Sequence, residues 1–126
     1  MSVEARPPAQ RASPEQLALL APLGSLSAER LRELAEIATL EHVPRGKDPL
    51  AAHRGAQRSV FLLSGEALLM FEGGGTLVVV GGTGDGRLPL NRRPVPIARS
   101  RAISDVELLA LDDEVLDIMQ IGRAHV

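Results

Sequence analysis

Cysteine is absent, and so are tryptophan and tyrosine. Without a thiol the chain has no disulfide, thiolate zinc site, iron–sulfur cluster or cysteine nucleophile. Phe61 and Phe71 are the only aromatic residues, so the core must be aliphatic. Proteins that hold single-stranded nucleic acid stack bases on aromatic rings, and two rings nearly exclude that mode. No apolar run approaches the ~20 residues of a membrane-spanning helix, and the N-terminus lacks the apolar stretch of a signal peptide. Lysine is scarce as well: Lys47 stands alone against 13 arginines, and with abundant Ala, Gly and Pro this is the composition of a GC-rich bacterial genome. These features together point to a soluble cytoplasmic protein, without direct contact to nucleic acid or membrane.

What is present suffices for one domain. The chain has 126 residues, of which Leu, Ile, Val and Phe make up 37, well above the level at which a chain fails to bury a core. Net charge is −2, so the molecule as a whole has no strong pull towards polyanions. Its distribution is uneven. Arg87, Arg92, Arg93, Arg99 and Arg101 fall in a stretch with no acid, and Asp105, Glu107, Asp112, Asp113, Glu114 and Asp117 follow with no base before Gln120. Such blocks either pair with each other or leave the basic one facing an anion.

Residues 1–12 are polar, carry Pro7-Pro8 and read as a disordered leader. Ser13-Pro14-Glu15-Gln16 is a helix start, with Ser13 as cap, Pro14 in the first turn and Gln16 at the capping-box position. Pro22 and Gly24 end that helix, and Ser27 opens a second one with Leu31, Leu34, Ala35 and Ala38 on one face. After Thr39 the period changes. Short apolar runs recur with Gly or Pro between them: 40–43, 49–52, 60–63, 67–71, 77–80, 95–98, 101–103 and 106–111. This spacing predicts about eight short strands of a sandwich or barrel, and the absence of crossover helices excludes a parallel doubly wound sheet. Asp112 then caps an acidic helix with Val115, Leu116 and Met119 apolar.

The ordered set resembles the cyclic nucleotide-binding domain family. Residues 17–40 (LALLAPLGSLSAERLRELAEIATL) look like its helical lead-in. Pro44-Arg45-Gly46, Gly55 and VFLLSG at 60–65 look like its first glycine turns and strand. SRAISDVELLALD at 100–112 looks like its last strands and the start of the next helix. The resemblance implies a mainly β fold with flanking helices, the cyclic nucleotide-binding-like jelly-roll barrel, over residues 13–120. It also implies a regulatory, non-enzymatic module with cAMP or cGMP as possible ligand and no other cofactor.

The family holds the cyclic phosphate in a cassette between two strands, opened by Gly-Glu and closed by an Arg before a small residue and Ala. Here Gly86-Arg87 stands at the opening, so Arg87 replaces the ribose-binding Glu, and the phosphate Arg position falls on Pro96. Two readings follow. In one the cassette is degenerate and the domain is a regulatory or interaction module. In the other Arg92, Arg93, Arg99 or Arg101 supplies the missing cation by another route.

Other motifs carry less. Gly81 to Gly86 is glycine-rich but lacks G-x-G-x-x-G spacing and a following Lys-Ser/Thr, so it reads as a flexible barrel loop. His42, His53 and His125 form no ligand pair, which counts against a metal site and against a small cupin-like enzyme, the third alternative. IGRAHV at 121–126 resembles the translation of a sequencing-adapter read-through and reads as a non-native scar. On that reading the chain is the N-terminal piece of a longer bacterial signalling protein, and its effector domain lies downstream.

Overall fold

The structure, a computed structural model of the chain, describes residues 12–20 and 23–124, with 119–124 as backbone only. The expected leader lies outside the described residues except Ala12, which is buried. Pro22, Met119's side chain and residues 125–126 also lie outside them.

Helix α1 (Pro14–Ala18) starts as the sequence predicts. Ser13 Oγ accepts the Gln16 N–H, and Gln16 Oε1 accepts the Ser13 N–H. Helix α2 (Ala28–Ile37) is capped by Ser27, whose hydroxyl accepts the Arg30 N–H, and it buries Leu31, Leu34 and Ala35. Strands β1 (Thr39–Val43), β2 (Arg58–Ser64), β3 (Glu66–Phe71), β4 (Thr76–Val80), β5 (Ile97–Ala102) and β6 (Val106–Asp112) follow, and α3 (Asp113–Ala124) ends the described chain. The strands form two antiparallel sheets, β1-β6-β2 and β4-β3-β5.

Strand periodicity then sets three layers. On β2, Val60 and Leu62 face the second sheet while Phe61 faces the helices. On β6, Val106 and Leu108 face the second sheet while Leu109 and Leu111 face the helices. The central strand of the first sheet is thus apolar on both faces, which is why its sequence reads as a near-continuous hydrophobic run. One core lies between helices and sheet, with Leu17, Leu23, Leu34, Phe61 and Leu116 in it. The other lies between the sheets, around Val60, Leu69, Val79, Leu90 and Leu108. Gly65, between β2 and β3, has φ +90°, and a Cβ there would come within 2.4 Å of the Asp105 carbonyl oxygen, so both conformation and space demand glycine.

Among the described residues there are six strands where eight were expected. Residues 49–52 make a turn and a 3-10 segment (Ala51–His53) instead. Pro49 has no N–H to donate, and the Asp48 carboxylate takes the Leu50 N–H at 2.9 Å, which bends the chain out of strand geometry. The runs at 95–98 and 101–103 are one strand, β5. Asp112 is the last residue of β6 and stands directly before α3, which begins at Asp113 and reaches Ala124.

Candidate functional site

Residues 81–96 join β4 to β5. They are not the open loop that their glycines suggest. Gly84–Arg87 forms a 3-10 turn, and Gly86 is buried so tightly that a Cβ would lie 2.3 Å from the Val80 carbonyl oxygen. Pro89 comes after this turn, and no helix continues past Arg87.

The link then docks on β2. Leu90 N–H donates to the Val60 carbonyl at 2.6 Å. Asn91 Oδ1 accepts the Val60 N–H at 3.0 Å, and its Nδ2 donates to the Arg58 carbonyl at 2.7 Å. Leu90 is fully buried in the inter-sheet core, beside Val60 and Leu62.

The five basic candidates do not meet. Arg87 is exposed and lines a small cavity of about 140 Å³ against Gln16, Leu19 and Leu63, on the α1 side. Arg99 and Arg101 alternate with buried Ser100 and Ala102, so they stand on the outer face of β5, away from the core. Only Arg92 and Arg93 share a site, a cleft of about 300 Å³ between residues 50–56 and 91–97. His53 and Arg54 also line it, and so does Pro96, at the position where the resemblance places the phosphate arginine.

Each cation of the cleft has different company. Arg54 Nη2 donates to Asp48 Oδ2 at 2.6 Å. Asp48 also accepts the Ser100 hydroxyl and the Leu50 N–H. Burial alone would raise the Asp48 pKa, but the hydrogen bonds from Ser100, Arg54 and Leu50 and the charge of Arg54 outweigh it and hold the carboxyl below its ordinary value. Arg92 bonds Asp113 and the Arg58 carbonyl.

Arg93 is different. Its side chain is 5% exposed, it donates to the Asp85 carbonyl at 3.1 Å, and the Asp85 carboxylate lies 4.0 Å away. Its Nε is buried without an acceptor among the described residues. Burial lowers the Arg93 pKa, and the charge of Asp85 opposes that shift.

His53 is buried behind the cleft. Its Nδ1 lies 3.3 Å from an Arg58 guanidinium nitrogen, which can only donate, so Nδ1 accepts there and the Nε2–H donates to Glu41 Oε1 at 2.6 Å. Among the described residues no three His, Asp or Glu side chains gather as metal ligands, and no helix is long and apolar enough to cross a membrane.

Sequence reasoning named Arg92 and Arg93 but missed Arg54, Asn91 and Asp48. No periodicity marks these three: Asn91 and Asp48 act through contacts made across the fold, to Val60 and Ser100, and Arg54 through Asp48 six residues before it.

No family model and no curated protein matches the sequence. Solved structures do match in shape. A protein from Geobacter metallireducens named for cyclic nucleotide binding is 23% identical, with a TM-score of 0.63 over 90% of this chain and 86% of that one. The N-terminal domain of a transcriptional regulator from Streptomyces coelicolor is 22% identical, with a TM-score of 0.61 over 87% and 82%. The sensor domain of the transcriptional regulator DNR from Pseudomonas aeruginosa is 16% identical, with a TM-score of 0.66 over 86% and 80%. The fold is therefore the mainly β, cyclic nucleotide-binding-like jelly roll with flanking helices.

Proposed function

We propose that this chain is a regulatory, sensor-type domain of a larger bacterial signalling protein, and that its cassette does not hold a cyclic nucleotide. The fold shared with sensor and regulator domains supports the first part. The observation that carries the second is Leu90. Its side chain is fully buried in the inter-sheet core beneath the β4–β5 link that stands for the cassette, and its own N–H and the neighbouring Asn91 fix it to β2. The sequence adds that Arg87 and Pro96 stand where the family resemblance would put a ribose-binding Glu and a phosphate-binding Arg. A site that loses both polar partners loses most of its affinity. On this reading the domain has no catalytic role, and its output passes to an effector domain of the same chain, downstream.

The test is a melting curve with millimolar cAMP and cGMP. Ligand at about 100 times its Kd adds about 2.7 kcal/mol of stability, which raises Tm by several degrees in a domain of this size. An unchanged Tm is expected. A saturable rise with either nucleotide overturns the degenerate cassette and makes the domain a working cyclic-nucleotide sensor, the alternative reading.

A further inference from the structure

We infer that the outer face of the second sheet docks an acidic amphipathic helix of a partner protein, with its apolar side on Leu68, Met70 and Val78 and its carboxylates on Arg99 and Arg101. The inference goes beyond the sensor reading and stands whether or not the cassette holds a nucleotide.

Strand periodicity creates this face. Ala67, Leu69, Val79, Ser100 and Ala102 are buried on the inner side of the sheet. Their neighbours in the chain therefore point outwards. Register then sets them in rows. Val78, Leu68 and Arg101 lie side by side across β4, β3 and β5, and Thr76, Met70 and Arg99 form the next row. The helices pack on the first sheet, so no described element lies over this face. Val78 is 49% exposed and Val80 37%. Two largely apolar columns thus run beside one cationic column.

The arginines select the partner. Neither the Arg99 nor the Arg101 guanidinium has an ion pair or hydrogen bond among the described residues, whereas Arg54, Arg58, Arg92 and Arg93 each have an acid. Glu66 is the only carboxylate in the three strands; it lies opposite Val80 and forms no ion pair among the described residues. Alternate residues of a strand are about 7 Å apart, which is the spacing of Arg99 and Arg101 along β5. Carboxylates at i and i+4 of a helix are about 6 Å apart along its axis, so a helix lying along β3 and β4 meets both cations with one flank. The same helix sets its apolar stripe on Leu68, Met70 and Val78.

Other occupants fit less well. Two copies of this face, packed about a two-fold axis with strands aligned, set the arginines of β5 against each other or against the valines of β4. The chain's own acidic helix, α3, packs on the far side of the first sheet, so docking it on a second copy would repeat head to tail without closing. Two cations with no Trp or Tyr beside them make a poor membrane anchor.

The experiment titrates the whole chain into a fluorescent synthetic helix of about 18 residues, with Leu at every third or fourth position and Glu at i and i+4 on one flank. One counterpart carries Gln for Glu, and another has the same residues in scrambled order. Anisotropy is expected to show saturable, micromolar binding of the acidic helix, with both counterparts at least about tenfold weaker. The double variant Arg99→Gln, Arg101→Gln is expected to weaken binding by at least about tenfold with Tm unchanged, because both side chains are exposed and unpaired. Val78→Asp, at an exposed position, is expected to weaken it similarly by repulsion. Arg32→Gln, exposed on α2 at the other side of the molecule, is expected to leave binding unchanged. The inference is overturned if the acidic helix does not bind at millimolar concentration, if either counterpart binds as tightly, if the double variant or folded Val78→Asp binds unchanged, or if Arg32→Gln weakens binding as much as the double variant. It is also overturned, in favour of a membrane surface, if phosphatidylserine–phosphatidylcholine vesicles bind more tightly than the peptide and lose that binding in the double variant.

Discussion

Asn91 does for Val60 what a neighbouring strand would do. Its amide oxygen accepts the Val60 N–H at 3.0 Å while its amide nitrogen donates to the Arg58 carbonyl at 2.7 Å, so one side chain completes the free edge of β2. The Leu90 N–H, donated to the Val60 carbonyl at 2.6 Å, extends the same edge. Asn91→Ala strands the buried Val60 N–H, a loss of about 1–3 kcal/mol. At about 4 °C per kcal/mol for a domain of this size, Tm is expected to fall by about 4–12 °C. Asn91→Asp keeps the acceptor but brings a charge against the Arg58 carbonyl, so it should rescue only in part. Melting curves of the two variants check both statements.

What the sequence disclosed was whatever depends on neighbours in the chain. The Ser13–Gln16 capping box forms as its spacing requires, and Ser27 caps α2. Alternation places Phe61 and Val60 on opposite faces of β2. The errors came where a distant contact decides. Residues 49–52 look like a strand but turn, because Asp48 is held by Arg54 and by Ser100 of β5 and takes the Leu50 N–H itself. The arginines of 87–101 look like a cluster, yet a 3-10 turn, a docked link and a two-residue strand period send them to three separate surfaces. The Arg93 environment was not legible at all, since burial of a guanidinium leaves no mark on its own residue type.

Gly84 and Gly86 sit in the same 3-10 turn and should respond oppositely to alanine. At Gly86 a Cβ meets the Val80 carbonyl oxygen at 2.3 Å and the Gly81 Cα at 3.1 Å, both backbone atoms that cannot step aside cheaply. Overpacking of this kind costs about 1–3 kcal/mol. At Gly84 nothing lies within 4 Å of the new atom, and φ is not in the left-handed region. Gly84→Ala is expected to be neutral or to stabilise by up to about 1 kcal/mol, by restricting the unfolded chain. Denaturant midpoints of the pair measure the difference.

Acid should loosen the 44–54 segment through Asp48. Burial alone would raise its pKa, but Ser100, Arg54 and the Leu50 N–H favour the charged form more, and the folded-state pKa lies below the unfolded one. The unfolded state therefore binds the proton more tightly. The carboxylate's contribution to stability is present in full above the unfolded pKa and is lost as pH falls through the folded pKa. Asp48→Asn is expected to be less stable than the parent at pH 7, and the gap between the two should narrow below about pH 4. Urea unfolding of both proteins from pH 7 to pH 2.5 reads this directly, and a gap independent of pH contradicts it.

Asp113 ties three parts of the fold at the point where α3 begins. Its Oδ1 accepts the hydroxyl of buried Ser59 at 2.8 Å, its N–H donates to the Gln57 carbonyl at 3.0 Å, and its other carboxylate oxygen meets Arg92 from the β4–β5 link. The two side-chain partners are unequal. Arg92 is 45% exposed and Asp113 31%, so their ion pair is screened by water and contributes at most about 1 kcal/mol. Ser59 is 6% exposed, and removing its acceptor leaves a buried hydroxyl unpaired. Asp113→Ala is therefore expected to cost about 2 kcal/mol and Arg92→Ala less than about 1 kcal/mol. The Arg58 carbonyl that Arg92 also bonds keeps its bond from Asn91, so Arg92→Ala orphans no acceptor there. A double-mutant cycle should return a coupling energy of about 0.2–1 kcal/mol between Arg92 and Asp113, and a larger one between Ser59 and Asp113. Were Arg92 the stronger partner instead, the link would be held to α3 mainly by charge, and high salt would destabilise the parent protein by as much as Asp113→Ala does; added salt is expected to have a far smaller effect.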